Sequence, residues 1–245
     1  MIFSGRSRWV RSALLFALVA AGAIVATVSA RTQTPFAAPA VAPGIAPVPT
    51  PPRFVYVAIG ASDSYGTGLD DPTTQSWPAV FVRSLPAGTH YVNLGVPGIL
   101  LHRAIMTELP VALDAHPSVV TVWLAVNDLA AGVPLAHYRH DLDVLLGSLH
   151  RSTRARVLVA NLPDLSRVPA LSGRPGLAAI VAAWNQEISS AVLAHGAVLV
   201  DLYAHWRELA QHPEYIGPDG LHPSAEGARR LAALFVQAYR ASISR

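Results

Sequence analysis

The 245-residue sequence contains no cysteine and no lysine. The lack of cysteine excludes disulfides, thiolate zinc sites, a cysteine nucleophile and the thiol on which a bacterial lipid anchor is built. Charged residues are also scarce, at 13% of the chain, whereas hydrophobic residues make up 52%. A chain of this length and hydrophobicity can form one substantial core and is too apolar to be intrinsically disordered.

The formal net charge of +3 originates at the start of the sequence. Arg6, Arg8 and Arg11 precede an apolar run, and residues 1–30 contain no Asp or Glu, so the remainder of the chain is formally neutral. A neutral domain has no electrostatic attraction for a polyanion. We therefore expect no nucleic-acid partner.

Residues 13–30 are continuously apolar or small and end in Val28-Ser29-Ala30, a sequence that suits signal peptidase. A basic start followed by such a run predicts export to a secreted or extracytoplasmic location. A run of about 18 residues is also at the lower limit for spanning a bilayer. Residues 1–30 are therefore interpreted either as a cleaved signal peptide or as a signal anchor that tethers the protein to a membrane through residues 13–30.

Two further segments follow. Residues 31–52 are rich in Pro and Ala and almost uncharged, a composition typical of an extended linker. Residues 53–245 contain no second linker and no obvious repeat, which predicts one folded domain.

Within that domain, short apolar runs alternate with segments of helical periodicity, the pattern of βα units. Continuous hydrophobicity predicts strands that are buried on both faces of a parallel sheet. The five predicted strands are Phe54 to Ile59, His90 to Leu94, Val119 to Leu124, Arg156 to Ala160 and Val198 to Leu202. The fold class is therefore α/β, a three-layer α/β/α sandwich with a five-stranded parallel sheet.

Apolar residues at helical spacing predict the helix faces that cover the sheet. Ser224 is a suitable N-cap for a last helix. A helix from Ser76 to Leu85 carries Trp77, for which core packing is favoured over a place in a substrate pocket. The predicted inward stripes are Tyr138, Leu142, Leu145, Leu146 and Leu149; Leu177, Ile180, Val181, Trp184 and Ile188; and Leu231, Leu234, Phe235 and Ala238.

Chemically useful residues follow the strands, at the edge of a parallel sheet where ligands bind. Gly60-Ala61-Ser62 follows the first strand and can expose a serine hydroxyl in a tight turn. Near the C-terminus, Asp219 and His222 are three residues apart, so the acid can orient the ring. The imidazole can then take the serine proton and return it to a leaving group.

Two more segments offer donors for a developing oxyanion. Asn127 follows the third strand and carries a side-chain amide, although an Asn-Asp pair is also ordinary turn chemistry. The loop after the second strand contains Gly95 and Gly98, either of which lets a backbone N–H approach a ligand. Asn161-Leu162-Pro163-Asp164 follows the fourth strand and is an additional candidate for lining the site.

Four of these segments resemble blocks I, II, III and V of the SGNH (GDSL-like) hydrolases in their order along the chain and in their spacing. They contain Ser62, Gly98, Asn127, and Asp219 with His222, and the resemblance covers the whole domain. The resemblance implies a flavodoxin-like SGNH fold, with Ser62, Asp219 and His222 as catalytic triad. It also implies an oxyanion hole made by the Ser62 and Gly98 N–H groups and the Asn127 amide, and no metal or organic cofactor. The spacing from Asn93 favours Gly98 over Gly95.

The sequence departs from the family pattern at two positions, Ala61 in place of Asp and Ala125 in place of Gly. Asp63-Ser64 supplies a second Asp-Ser pair two residues later, so Ser64 is an alternative nucleophile. The distances from Gly60 and Gly66 favour Ser62. Asp63 and Asp128 are interpreted as structural.

The resemblance implies a serine esterase or lipase that hydrolyses small-molecule, lipid or carbohydrate esters. One alternative is an acyltransferase or deacetylase that acts on cell-envelope polysaccharide. Another is a non-catalytic carbohydrate-binding or envelope-attachment module. The presence of Ser62, Asn127 and His222 favours an enzyme over a binding module.

Overall fold

The computed structural model describes residues 54–244. The predicted signal segment at 1–30 and the predicted linker at 31–52 lie outside the described residues. The secondary structure and the contacts of the domain are those of residues 54–244.

A five-stranded parallel sheet forms the centre of the domain, in the order β2-β1-β3-β4-β5. Each predicted strand is present, and its ends differ from the prediction by two residues at most. The strands are β1 Val55–Gly60, β2 His90–Asn93, β3 Val119–Trp123, β4 Arg156–Ala160 and β5 Val198–Val200.

Helices connect the strands and cover the sheet. The α-helices are α1 Ser62–Tyr65, α2 Pro72–Gln75, α3 Trp77–Phe81, α4 Leu101–Thr107, α5 Leu109–Asp114, α6 Val126–Ala130, α7 Leu135–Ser152, α8 Leu177–Ala194, α9 Trp206–Gln211 and α10 Ala225–Ile243. Single turns of 3-10 helix lie at Val82–Ser84, Leu165–Arg167, Tyr203–His205 and Pro213–Tyr215. Within residues 54–244, only α8 is long and apolar enough to cross a membrane, and its buried face, including Val181 and Ile188, packs in the core.

Two hydrophobic clusters lie on opposite faces of the sheet. Val57 and Ile59 of β1 face the cluster that α4, α5, α7 and α8 complete. Tyr56 and Ala58 of the same strand face the cluster that α3 and α10 complete. This alternation follows from the two-residue period of a strand and confirms the three-layer α/β/α sandwich.

Two predictions about burial are wrong. His90 and Asn93 of β2 are exposed, and β5 is only partly buried, because both strands lie at the edges of the sheet. Ile180 of the α8 stripe is 46% exposed, whereas Val181 and Trp184 are buried. Ile180 lies at the margin of a stripe that is narrower than the periodicity indicated.

The predicted start of the last helix and the predicted core position of Trp77 are confirmed, but the helix predicted from Ser76 to Leu85 is α-helical only over Trp77–Phe81 and continues as a 3-10 turn at Val82–Ser84. Ser224 caps α10, and its side chain accepts a hydrogen bond from the Gly227 N–H at 3.1 Å. Trp77 is fully buried and stacks on Phe235 with a ring-centroid distance of 4.1 Å, which confirms its place in the core.

Candidate active site

Ser62 stands at the carboxyl end of β1, where the chain turns into the short helix α1. It is partly exposed and lines a pocket. Ser64 is fully buried, and its Oγ is so close to Gly60 that a Cβ on that glycine would lie 2.0 Å away. Of the two candidate serines, Ser62 therefore faces the pocket and Ser64 packs beneath the turn.

The pocket encloses a volume of about 100 Å³ and opens to solvent. Ser62, Asn127 and His222 all line it, so the fold brings together residues that are up to 160 positions apart. Its apolar lining includes Trp123, Val126, Leu165, Val168, Leu202, Leu209, Tyr215, Ile216, Leu221, Leu231 and Leu234. An apolar cavity with few convergent polar groups is the usual form of a small-molecule site.

Asp219 and His222 meet in the loop that precedes α10. His222 Nδ1 lies 2.5 Å from Asp219 Oδ2. Asp219 Oδ1 also accepts the N–H groups of Leu221 at 2.9 Å and His222 at 3.0 Å. Desolvation tends to raise the pKa of Asp219, but the hydrogen bonds from His222 and Leu221 outweigh it and hold the pKa below its usual 3.8.

The ionised state of Asp219 determines the tautomer of His222. An ionised carboxylate only accepts hydrogen bonds, so the Nδ1 atom of His222 carries the proton and Nε2 keeps its lone pair. Only 16% of the His222 side chain is exposed. Asp219 therefore fixes the orientation of an imidazole that lines the pocket.

The Ser62 hydroxyl and His222 Nε2 make no hydrogen bond within residues 54–244. The two groups line one pocket and have no competing partner among the described residues, so both are available to a ligand.

Asn127 and Asp128 follow β3 and have different contacts. Asn127 Nδ2 donates one hydrogen bond to the Ile99 carbonyl at 2.9 Å, which leaves its second N–H for the pocket. The Asp128 carboxylate accepts the Leu101 N–H, at 3.1 and 3.2 Å from its two oxygens, and so holds the start of α4. Burial raises the pKa of Asp128 to about 6. These contacts confirm the structural interpretation of Asp128.

The two glycines after β2 have different environments. Gly98 is exposed, has a φ of 77°, and its N–H has no partner among the described residues. It does not line the pocket itself, but the bond from Asn127 to Ile99 fixes its loop beside that amide. Gly95 packs on α1, where a Cβ would lie 2.7 Å from the Tyr65 nitrogen. Gly98 therefore offers a free N–H donor, whereas Gly95 is needed for close packing against α1.

The segment after β4 mainly supports the site. Asn161 is buried, donates to Asp201 Oδ1 at 2.7 Å and accepts the Tyr203 N–H at 3.1 Å. Asp164 accepts the Ser166 N–H, and Pro163 lines the pocket. This segment joins β4 to the chain after β5 and contributes one wall residue.

Asp63 has a position that the sequence did not indicate. It lines the pocket beside Ser62 rather than serving only as a loop residue. Desolvation raises its pKa to about 6, although the nearby His222 acts in the opposite direction. The pocket therefore holds a second carboxyl group close to the imidazole.

Glu108 is a second residue that sequence reasoning missed. It is only 2% exposed, and its Oε2 accepts the Gly60 N–H at 2.9 Å, two residues before Ser62. Its Oε1 is buried without a partner among the described residues, and desolvation raises the pKa to about 8. The available signal is its spacing, because Glu108 falls seven residues after Leu101 on the apolar stripe shared with Ala104 and Ala112.

The model of the GDSL-like Lipase/Acylhydrolase family matches residues 58–230, well over half of the chain. No curated protein matches. Within residues 54–244, no group of three or more His, Cys, Asp or Glu side chains is arranged to hold a metal ion.

Several solved structures share the fold. A lipase/acylhydrolase from Enterococcus faecalis is 22% identical, with a TM-score of 0.60 over 75% of this chain and 94% of that one. The psychrotrophic esterase EstA from Pseudoalteromonas sp. is 14% identical, with a TM-score of 0.62 over 78% and 99%. TesA is 20% identical, with a TM-score of 0.63 over 75% and 97%. These similarities confirm the flavodoxin-like SGNH fold inferred from the motifs.

Proposed function

Because the chain belongs to the GDSL-like lipase/acylhydrolase family of ester hydrolases, we propose that it hydrolyses carboxylic esters through Ser62, His222 and Asp219. The Ser62 hydroxyl attacks the ester carbonyl carbon while His222 Nε2 takes its proton. Asp219 holds the ring through Nδ1 and stabilises the imidazolium that forms.

Three donors stabilise the oxyanion in this proposal: the Ser62 N–H, the Gly98 N–H and the free amide N–H of Asn127. Such donors act most strongly when they are already oriented, because no reorganisation is needed as charge develops. The bond from Asn127 to the Ile99 carbonyl supports this role, since it fixes the amide beside the Gly98 loop.

The tetrahedral intermediate collapses as His222 gives its proton to the departing alcohol, which leaves an acyl group on Ser62. Water then enters, His222 takes a proton from it, and the hydroxide attacks the acyl carbon. A second collapse releases the carboxylic acid and returns the proton to Ser62.

The observation that carries this proposal is the 2.5 Å contact between His222 Nδ1 and Asp219 Oδ2, together with the fact that His222 lines the same pocket as Ser62. An oriented imidazole beside an accessible serine is the arrangement that nucleophilic acyl transfer requires. A non-catalytic binding module has no need of this pairing.

The experiment is hydrolysis of p-nitrophenyl acetate and butyrate by the full chain, compared with Ser62→Ala and Ser64→Ala. We expect Ser62→Ala to abolish turnover and Ser64→Ala, whose side chain is buried, to retain it. Loss of turnover with Ser64→Ala alone, at an unchanged melting temperature, would refute the choice of nucleophile. If the native chain transfers the acyl group to sugar acceptors faster than to water, the result would instead support the acyltransferase alternative.

We propose further that the substrates are extracytoplasmic esters. The arginines at positions 6, 8 and 11, the apolar run at 13–30 and the Val28-Ser29-Ala30 site support export. The apolar pocket favours an ester with an alkyl acyl group over a strongly charged one.

A further inference from the structure

One part of the pocket wall differs from the rest. Most of the lining is apolar, but Arg230, Glu208 and His205 also line it. These three residues come from α10, α9 and the 3-10 turn before α9. They take no part in the proposed hydrolysis.

Arg230 and Glu208 form a two-point ion pair. Arg230 Nε lies 2.5 Å from Glu208 Oε2, and Arg230 Nη2 lies 2.6 Å from Oε1. His205 Nδ1 is 2.7 Å from the same Oε1. The hydrogen bonds from Arg230 hold the pKa of Glu208 below its usual value, so both members of the pair are charged at neutral pH.

The pair lies among alkyl side chains rather than in a separate polar site. Leu209 follows Glu208, and Leu231 follows Arg230; both leucines line the same pocket. The side chains of Arg230 and Glu208 are 32% and 27% exposed, so each keeps some contact with water. Arg230 Nη1 has no hydrogen-bond partner among the described residues.

We propose that the Arg230–Glu208 pair limits the length of the acyl chain that the pocket accepts, which makes the protein selective for short acyl esters. A chain that reaches the pair would strip its remaining water and offer no hydrogen bond in return, which is unfavourable for charged groups. A shorter chain would contact only the apolar lining. This inference rests on the proposed ester hydrolysis.

The test is the chain-length profile of p-nitrophenyl esters from acetate to decanoate. All members share one leaving group, so differences in kcat/KM report on the acyl part. For the native chain we expect kcat/KM to fall beyond the short esters. In the double variant Arg230→Met, Glu208→Met, whose side chains are unbranched and uncharged, we expect the octanoate-to-butyrate ratio to rise about tenfold or more.

A matched pair on α10 provides the control. Arg229 and Glu226 also form an ion pair, but both lie outside this pocket, with 58% and 53% of their side chains exposed. The variant Arg229→Met, Glu226→Met should keep the native ratio. The same rise in this control would show a general effect of lost charge and would overturn the proposal.

A second variant distinguishes two roles of the pair: making the pocket wall polar, and holding α9 against α10. Arg230→Gln, Glu208→Gln removes both charges but keeps groups that alkyl chains disfavour. We expect it to retain the native short-chain profile. If the octanoate-to-butyrate ratio rises as far as in the methionine variant, the contact between α9 and α10, not the polarity of the wall, sets the chain length.

A native-only measurement keeps the proposal testable even if the methionine pair fails to fold. The octanoate ester is compared with an ester of equal length that has an ether oxygen near the end of the chain. Because Arg230 Nη1 can donate to that oxygen, the native chain should hydrolyse the ether ester faster; equal rates would contradict the proposal. Inactivity of the native chain towards every ester would instead refute the proposed function.

Discussion

Among single residues, Asn127 has an amide with one N–H that is hydrogen-bonded and one that is free. One N–H binds the Ile99 carbonyl; the other has no partner among the described residues, and Asn127 lines the pocket in which we propose that the oxyanion forms. We therefore predict that Asn127→Ala lowers kcat on p-nitrophenyl butyrate by about 100-fold to 1000-fold, while KM changes little. A loss confined to KM would contradict a role in the transition state.

Glu108 allows a prediction about stability and pH. Its pKa is about 8 in the folded chain, against a usual value of 4.5. Between these values the unfolded chain has released the proton and the folded chain still holds it, so stability falls as pH rises from 4.5 to 8. Glu108→Gln cannot ionise, and we expect its melting temperature relative to native to rise between pH 5 and pH 8 by about 3 °C or more.

Thermal unfolding of both chains at the two pH values tests this prediction. The comparison uses the change between pH values, because glutamine also leaves an N–H group unpaired at every pH. The same mutation keeps an oxygen for the Gly60 N–H, so the turn before Ser62 should be preserved. A pH-independent difference would show that Glu108 is ionised at neutral pH.

At the scale of elements, the loop after β2 must approach α1 closely. A Cβ on Gly95 would lie 2.7 Å from the Tyr65 nitrogen and 2.9 Å from the Ala61 oxygen, both of which are backbone atoms. Gly95→Ala should therefore displace α1 and Ser62, lowering kcat about 100-fold. Gly173→Ala is the control, because a Cβ there meets nothing within 4 Å and its φ is not positive. Equal activities of the two variants would refute the close approach.

Sequence periodicity predicted the positions of the strands and helices better than it predicted how deeply their residues are buried. All five strands are found because each contains consecutive apolar or β-branched residues between turns. The exposure of β2 was not predictable in the same way, since it depends on strand order, and an apolar run does not reveal which strand lies at an edge. The predicted stripe of α7 is confirmed, because all five of its residues are buried. In α8, Ile180 lies at the margin of the buried face and is exposed.

The predictability of the site depended on the distance between partners in the sequence. Asp219 and His222 are three residues apart, so their contact could be predicted from one loop. Glu108 contacts Gly60 across 48 residues, and Arg230 contacts Glu208 across 22 residues. Such contacts form only when distant elements pack together, so no short sequence motif predicts them.

In the molecule as a whole, charge is unevenly distributed along the sequence. The net positive charge is carried by residues 1–30, and the rest of the sequence is formally neutral. A neutral surface does not repel or attract ionic substrates over long distances. Substrate selection is therefore expected to arise inside the pocket, whereas residues 1–30 are predicted to determine where the chain is located.

We expect the full chain expressed in a bacterium to be exported, because residues 6–30 combine a basic start with an apolar run and a cleavage site. A matched chain with Arg6, Arg8 and Arg11 changed to Glu should accumulate in the cytoplasm, since the basic start orients such segments. Fractionation followed by an esterase assay measures both chains. A mature N-terminus at Arg31 would indicate cleavage, carbonate-resistant membrane association of the uncut chain would indicate an anchor, and native activity in the cytoplasm would refute export.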